Sequence, residues 1–306
     1  MIDDVETAPV DAEVQSRSRT AALGRPVAEL TPGTRLGRFE LRALLGRGGS
    51  SQVFAALDTD AQQEVALKVL RDPDAWRSAA AQRRAFLEEA RALARLSHPG
   101  IVRVFDAGVL GGHPVIAMEK VLGQTFDDWL ETGPAPSVIV ATWLAVCRSV
   151  DAAHGVGIVH RDIKPTNVLV RGIARTTLLD FGLALAMNAE RTASSVVLGS
   201  GGFTAPERLR GDSGGPAVDQ YALAVLLAVG LGAPAPAVGS TPELPVDVRP
   251  ALKDTITRAL ADDPQARFSS VGAFAEAVTR ASSQRRLWAT VAGSLLVVAA
   301  VTYALM

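Results

Sequence analysis

His160-Arg161-Asp162-Ile163-Lys164-Pro165-Thr166-Asn167 is followed, eighteen residues after Asp162, by Asp180-Phe181-Gly182. The first stretch sets a carboxylate, an ammonium and an amide at fixed offsets on one short loop, and the second adds another carboxylate. Carboxylate and amide oxygens are the ligands hard cations prefer, and a lysine among them suits a phosphate. A single tripeptide such as Asp180-Phe181-Gly182 would pass for a polar loop between two strands. Two such motifs in this order and at this spacing are a much stronger signal.

Together they resemble the catalytic loop H-R-D-x-x-x-x-N and the D-F-G motif of protein kinases. The Ile163-Lys164-Pro165 infill resembles the bacterial, eukaryotic-like (Hanks-type) Ser/Thr protein kinases. The resemblance covers roughly residues 36–281. It implies an α+β, bilobal protein-kinase fold with a small β-rich N-lobe carrying one long helix and a larger helical C-lobe. It also implies that Asp162 accepts or orients the proton of a substrate hydroxyl, that Lys164 neutralises the transferred phosphoryl group, and that Asn167 and Asp180 hold Mg²⁺. Mn²⁺ suits the same oxygen ligands. His160 is expected to be a packed, structural histidine.

Upstream, Gly46-Arg47-Gly48-Gly49-Ser50-Ser51-Gln52-Val53 resembles the glycine-rich loop over the ATP phosphates, with Ser51 in place of the third glycine. Glycines let backbone N–H groups approach phosphate without side-chain clash. Val65-Ala66-Leu67-Lys68 resembles the third-strand motif whose lysine holds the α- and β-phosphates. Within Phe86-Leu87-Glu88-Glu89-Ala90, family register selects Glu89 as the partner of Lys68, with Glu88 as the fallback. Met118-Glu119-Lys120-Val121 resembles the hinge: Met118 beside the adenine, Glu119 and Val121 offering backbone groups to it. Val53 and Ala66 are expected to cover one face of the base and Leu169 the other, although a plain core role competes for each of these apolar residues.

Scaffold motifs extend the match. Ala205-Pro206-Glu207 closes the activation segment, Asp263-Pro264-Gln265-Ala266-Arg267 resembles the motif whose arginine pairs with that glutamate, and Asp219 matches the aspartate that braces the catalytic loop. In relatives an arginine such as Arg161 pairs with a phosphorylated activation loop, for which Thr192, Ser194 and Ser195 are the candidate acceptors. Two departures stand out. Relatives read G-T-P-A-Y-M where this chain has Gly199-Ser200-Gly201-Gly202-Phe203-Thr204, and the glycines are expected to loosen the platform for a substrate peptide. Across 230–251 the docking helix of relatives looks truncated or absent.

The pattern of apolar residues agrees with two lobes. Strands are expected at 39–45, 53–57, 64–70, 102–105 and 115–118, and helices at 75–96, 126–130, 137–154, 220–229 and 252–261. The expected organisation is a disordered tail over 1–34, an N-lobe over 35–120, a C-lobe over 121–281 and a basic juxtamembrane segment over 282–286. At 48% hydrophobic and 21% charged the chain is globular, and a net charge of −1 gives no basis for nucleic-acid binding. The single cysteine, Cys147, excludes an internal disulfide and fits a reducing compartment. Only Lys68, Lys120, Lys164 and Lys253 are lysines. Two of the four fall in the motifs above, a weak sign that a compact ammonium is needed there.

Residues 287–306 are twenty in a row without a charge. A helix of that length spans about 30 Å, a bilayer's hydrocarbon thickness. Arg280, Arg285 and Arg286 precede it and no charge follows, so the positive-inside rule keeps the preceding domain cytoplasmic. The expectation is one C-terminal transmembrane helix in a bacterial inner membrane, with essentially no extracellular domain. Ala289 and Gly293 form a small-xxx-small pair that would allow a homodimer. Protein substrates are the expected partners. The competing reading is a nucleotide-binding, pseudokinase-like membrane scaffold, which the eroded docking region favours and the complete catalytic set disfavours.

Overall fold

The computed structural model describes residues 30–48, 51–70, 88, 90–181, 201–212 and 214–283. The N-terminal lobe is an antiparallel six-stranded sheet in the order β1-β2-β3-β4-β6-β5. Its strands are β1 (Arg35–Leu36), β2 (Phe39–Arg47), β3 (Ser51–Asp58), β4 (Gln63–Leu70), β5 (Val104–Leu110) and β6 (His113–Glu119).

Strand β4 lies inside the sheet, and its side chains alternate between two apolar surfaces. Val65, Leu67 and Val69 join Phe39, Leu41, Phe54, Ala56, Val115 and Ala117 in one cluster. Ala66, Leu70, Ile116 and Met118 belong to a second cluster, which continues into the C-terminal lobe. A one-residue slip of β4 would exchange the two sets, so the register is strongly specified. Every strand expected from the sequence is present. Only the fourth of them, 102–105, is displaced, to β5 at Val104–Leu110, because Val102 turns to hydrogen-bond Leu178 rather than β6.

Of the expected 75–96 helix, α1 is described at 88 and 90–95 and has ended by Leu96; residues 75–87 and 89 lie outside the described residues. Beyond the hinge come β7 (Gln124–Thr125), α2 (Phe126–Leu130), α3 (Pro136–Gly155), β8 (Val168–Gly172), β9 (Arg175–Leu178), α4 (Pro206–Leu209), α5 (Ala217–Gly230), α6 (Pro250–Ala259) and a closing helix α7 over 271–283. Thr125 caps α2 by accepting from the Asp128 N–H at 3.2 Å, and Pro136 opens α3 at a position where no N–H is missed. The three-stranded sheet β7-β8-β9, α4 and α7 were not anticipated from apolar periodicity. Two- to five-residue strands are too short to show a period.

Helix α5 is apolar on every side because it is buried on every side. Trp143 of α3 donates from Nε1 to the Leu223 carbonyl at 2.8 Å and meets Phe274 of α7 edge-on, with ring centroids 5.0 Å apart. Those contacts tie three helices together, and truncating such a side chain typically costs about 3–5 kcal/mol. Gly230 lies where α5 crosses Ile139; a Cβ there would come within 2.8 Å of Ile139 Cγ2. Arg249 donates from Nη1 to the carbonyls of Ala281 and Ser282 at 2.8 and 2.9 Å, satisfying the end of α7. Between α5 and α6, residues 231–249 form turns and extended segments with no helix, as the shortened sequence suggested.

Among the described residues only α3 is long and apolar enough to cross a membrane, and it is a packed core helix. The apolar segment 287–306 lies outside the described residues.

Candidate active site

The loop 160–167 is held from below by Asp219, in the first turn of α5. Its carboxylate accepts from the backbone N–H groups of His160 and Arg161, each at 2.7 Å, and meets His154 Nε2 at 2.8 Å. The loop thereby holds Arg161 at φ +64°, a left-handed conformation that costs a non-glycine residue of order 1–3 kcal/mol. Arg208 adds a further restraint, donating from Nη1 to the Arg161 carbonyl at 2.6 Å.

His160 is fully buried between this loop and the end of β9. Its Nδ1 accepts from the Asp162 N–H at 3.2 Å and its Nε2 lies 2.7 Å from the Leu179 carbonyl. Nε2 therefore carries the proton of a neutral ring. Burial holds its pKa below the ordinary histidine value, despite the opposing pull of Asp219. Its ring packs 4.5 Å from that of Phe181, so it is a wedge between the two motifs.

Asp162, Lys164 and Asn167 come together. Lys164 Nζ lies 2.9 Å from Asp162 Oδ2, and Asn167 Nδ2 donates to the Asp162 carbonyl at 2.8 Å and to its Oδ2 at 3.0 Å. With Nδ2 turned inward, the Asn167 amide oxygen is the atom it can offer to a cation. Strand β9 runs on into Leu179 and Asp180, and the Leu179 N–H donates to the Asn167 carbonyl at 2.8 Å, which fastens the two motifs side by side. Asp180 sits at φ +50°, and its Oδ1 meets Lys68 Nζ at 2.9 Å. That contact joins β4 of one lobe to the end of β9 in the other, with the Lys68 side chain 8% exposed.

The sheet register gathers the remaining residues of the cleft. Gly46 pairs with Val53, Val53 with Lys68, and Ala66 with Met118. Directly opposed residues share a face of the sheet, as do residues two apart, so these five lie on the surface that carries Lys68. Leu169 of β8 is buried in the other lobe. The Glu119 N–H donates to the Arg103 carbonyl at 2.8 Å, Val121 follows as a half-buried residue, and the Gly48 N–H donates to the Ser51 carbonyl at 2.9 Å, closing the glycine-rich turn. Arg47 is exposed and Ser51 buried. Gly49, Ser50 and Glu89 lie outside the described residues, as do Gly182, Thr192, Ser194, Ser195 and Ser200; Glu88 is exposed.

The donor set suits a cation shared with phosphates rather than one caged by protein. No cluster of three or more His, Cys, Asp or Glu ligands occurs among the described residues. One amide oxygen and one carboxylate stand at the cleft instead, the sparse ligation that Mg²⁺ accepts while keeping waters and phosphate oxygens.

The scaffold pair is present. Arg267 Nη1 and Nη2 meet Glu207 Oε1 and Oε2, each at 2.8 Å. Beside α4, a Cβ on Gly202 would run into the Pro236 carbonyl oxygen. The glycine therefore lets the segment 231–249 lie against the platform, where sequence had suggested only a loosening. Two further residues escaped sequence reading. Arg208 and His154 act through tertiary contacts to Arg161 and Asp219, and no spacing announces either.

Comparison with known proteins agrees with this geometry. The protein kinase domain family matches residues 39–279. The DNA damage-responsive serine/threonine-protein kinase RqkA of Deinococcus radiodurans is 40% identical over 254 residues, covering 76% of this chain and 37% of that protein. Serine/threonine-protein kinase PknA of Mycobacterium tuberculosis is 32% identical over 271 residues, covering 82% of this chain and 62% of its own length. The chain thus spans less than two thirds of either relative. The crystal structure of the Mycobacterium tuberculosis PknI kinase domain superimposes with a TM-score of 0.66 at 30% identity, covering 82% of this chain and 99% of that one.

Proposed function

Because this chain belongs to the protein kinase family, we propose that it is an ATP-dependent serine/threonine protein kinase, anchored in a bacterial cytoplasmic membrane by residues 287–306 with its catalytic domain in the cytoplasm. One observation carries the reading: Asp162 is fixed by Lys164 and Asn167 on a strained loop, beside the Lys68–Asp180 pair.

In this reading the Asp162 carboxylate accepts the hydrogen of a seryl or threonyl hydroxyl and aims its oxygen at the γ-phosphorus. The oxygen–phosphorus bond to the acceptor forms as the bond to the ADP oxygen breaks, and the hydroxyl proton leaves by way of Asp162. Lys164 balances negative charge on the moving phosphoryl group. Lys68 leaves its contact with Asp180, or shares it, to bind the α- and β-phosphates; Glu89 is its partner on the long helix. Asn167 and Asp180 would hold Mg²⁺, or Mn²⁺ in its place, which supplies neutralisation of the phosphate oxygens. The turn 46–51 covers the phosphates, and Val53, Ala66, Met118, Glu119, Val121 and Leu169 receive the adenosine. Positioned proton transfer of this kind is worth about 10²–10⁴-fold in rate.

The domain organisation proposed is an N-lobe over 35–120, a C-lobe over 121–281, a juxtamembrane segment over 282–286 and the anchor, with 1–34 as a tail. The uncharged run and the arginines before it support the anchor, and Ala289 with Gly293 supports homodimerisation within it. A second reading, a nucleotide-binding scaffold, draws support from the contact of Pro236 with Gly202, which narrows the surface for a protein substrate.

Incubating the full chain, in detergent, with labelled ATP and Mg²⁺ and a generic basic protein tests the reading. Phosphoserine and phosphothreonine in acid hydrolysates are the expected products. ATP binding with no phosphoamino acid formed would favour the scaffold.

A further inference from the structure

Away from the ATP cleft, a solvent-open cavity of about 560 Å³ lies between helix α3, the β8–β9 hairpin and the loop at 98–100. Its size falls within the roughly 300–1,000 Å³ usual for small-molecule sites. We propose that this cavity binds the phosphate or diphosphate group of a small anionic ligand through Arg148, Arg171 and Arg175.

Charge is the first argument. The three arginines line the cavity from α3, β8 and β9, and among the described residues no Asp or Glu lines it. None of the three makes an ion pair or hydrogen bond to the described residues. Elsewhere in the same lobe arginines are engaged: Arg208 with Arg161, Arg210 with Asp262, Arg249 with Ala281, Arg258 with Ala266 and Arg267 with Glu207. The three guanidiniums stand exposed at the cavity with no partner among the described residues, and the planar fork of each matches phosphate oxygens two at a time.

His98 supplies a fourth donor. Its Nδ1 accepts from the Gly100 N–H at 3.1 Å, which places the proton of the neutral ring on Nε2. Burial, and after it the charge of Arg148, keeps the ring neutral by lowering its pKa. The floor is backbone: a Cβ on Gly100 would collide with Ser149 Oγ. One wall, β9, hydrogen-bonds the floor through Leu178 N–H to Gly100 O at 2.8 Å and then runs on to Asp180. The cavity and a candidate metal ligand therefore share a strand.

The test is calorimetric titration of the full chain in detergent with inorganic pyrophosphate, in parallel with short-chain phosphatidate. A non-hydrolysable ATP analogue fills the nucleotide cleft throughout. Saturable binding is expected, with Kd raised about tenfold or more by Arg148→Ala or Arg175→Ala, the loss of one charge-assisted hydrogen bond. Thermal unfolding of both surface variants should match the wild type. Tighter binding of pyrophosphate assigns the natural phosphate to a soluble ligand, and tighter binding of phosphatidate assigns it to a lipid headgroup. No binding to the wild type, or equal binding to wild type and variants, overturns the proposal.

Discussion

Arg208 reaches back across the active-site loop and donates from Nη1 to the carbonyl oxygen of Arg161 at 2.6 Å. Arg161 is itself held at φ +64°, with its N–H on Asp219. The strained residue immediately before Asp162 is thus gripped at both of its backbone polar groups. Because Arg208 follows Glu207 directly on α4, the substrate platform and the catalytic loop are mechanically one piece.

Arg208→Met should therefore act on the chemical step rather than on nucleotide binding. A charge-assisted hydrogen bond is worth about 1.5–3 kcal/mol, which corresponds to roughly a 10–100-fold fall in kcat if lost in the transition state. KM for ATP should change little. Steady-state kinetics separate the two, and a rise in KM with unchanged kcat would show that Arg208 does not position the loop.

Glu207 and Arg267 form a two-pronged pair in which Arg267 is 2% exposed and Glu207 5% exposed. Removing one partner leaves the other charged and buried, at a cost of about 3–5 kcal/mol. Urea unfolding of Arg267→Met should show a midpoint lowered accordingly. The double variant Glu207→Gln, Arg267→Met should recover part of the loss, since no uncompensated charge remains.

The two histidines with depressed pKa values set an acid limit on stability. Burial lowers both His160 and His98, so in acid the unfolded chain binds protons that the folded chain refuses. Stability is complete above the unfolded histidine pKa of about 6.5 and falls as pH drops below it, by up to about 1.4 kcal/mol per pH unit for the buried His160 and by less for the partly exposed His98, whose shift solvent screens. Urea midpoints measured from neutral to mildly acidic pH should follow that slope. His160→Gln should show a shallower one.

The sequence displayed this site unusually fully, because kinase chemistry is written in short polar strings. Asp162, Lys164 and Asn167 sit within one turn of chain and needed no fold to bring them together. Lys68 and Asp180 did, and their separate motifs announced each of them. Central strand β4 was legible because continuous burial leaves a run of apolar residues broken only by Lys68. Strands β7 to β9 were not, being too short to carry a period, and α4 and α7 went unseen for want of a strong apolar repeat. Arg208, His154 and Pro236 were invisible for a different reason. Their roles are contacts between distant segments, and a lone arginine, histidine or proline reads the same whether it touches an active site or water.

The most direct test of the central claim is single-turnover phosphotransfer by the full chain carrying Asp162→Asn, with ATP affinity measured on the same preparation. The account predicts affinity within about twofold of wild type and a phosphotransfer rate lower by about 10²–10⁴-fold, the usual contribution of a positioned acid–base group. Phosphotransfer at the wild-type rate would contradict it.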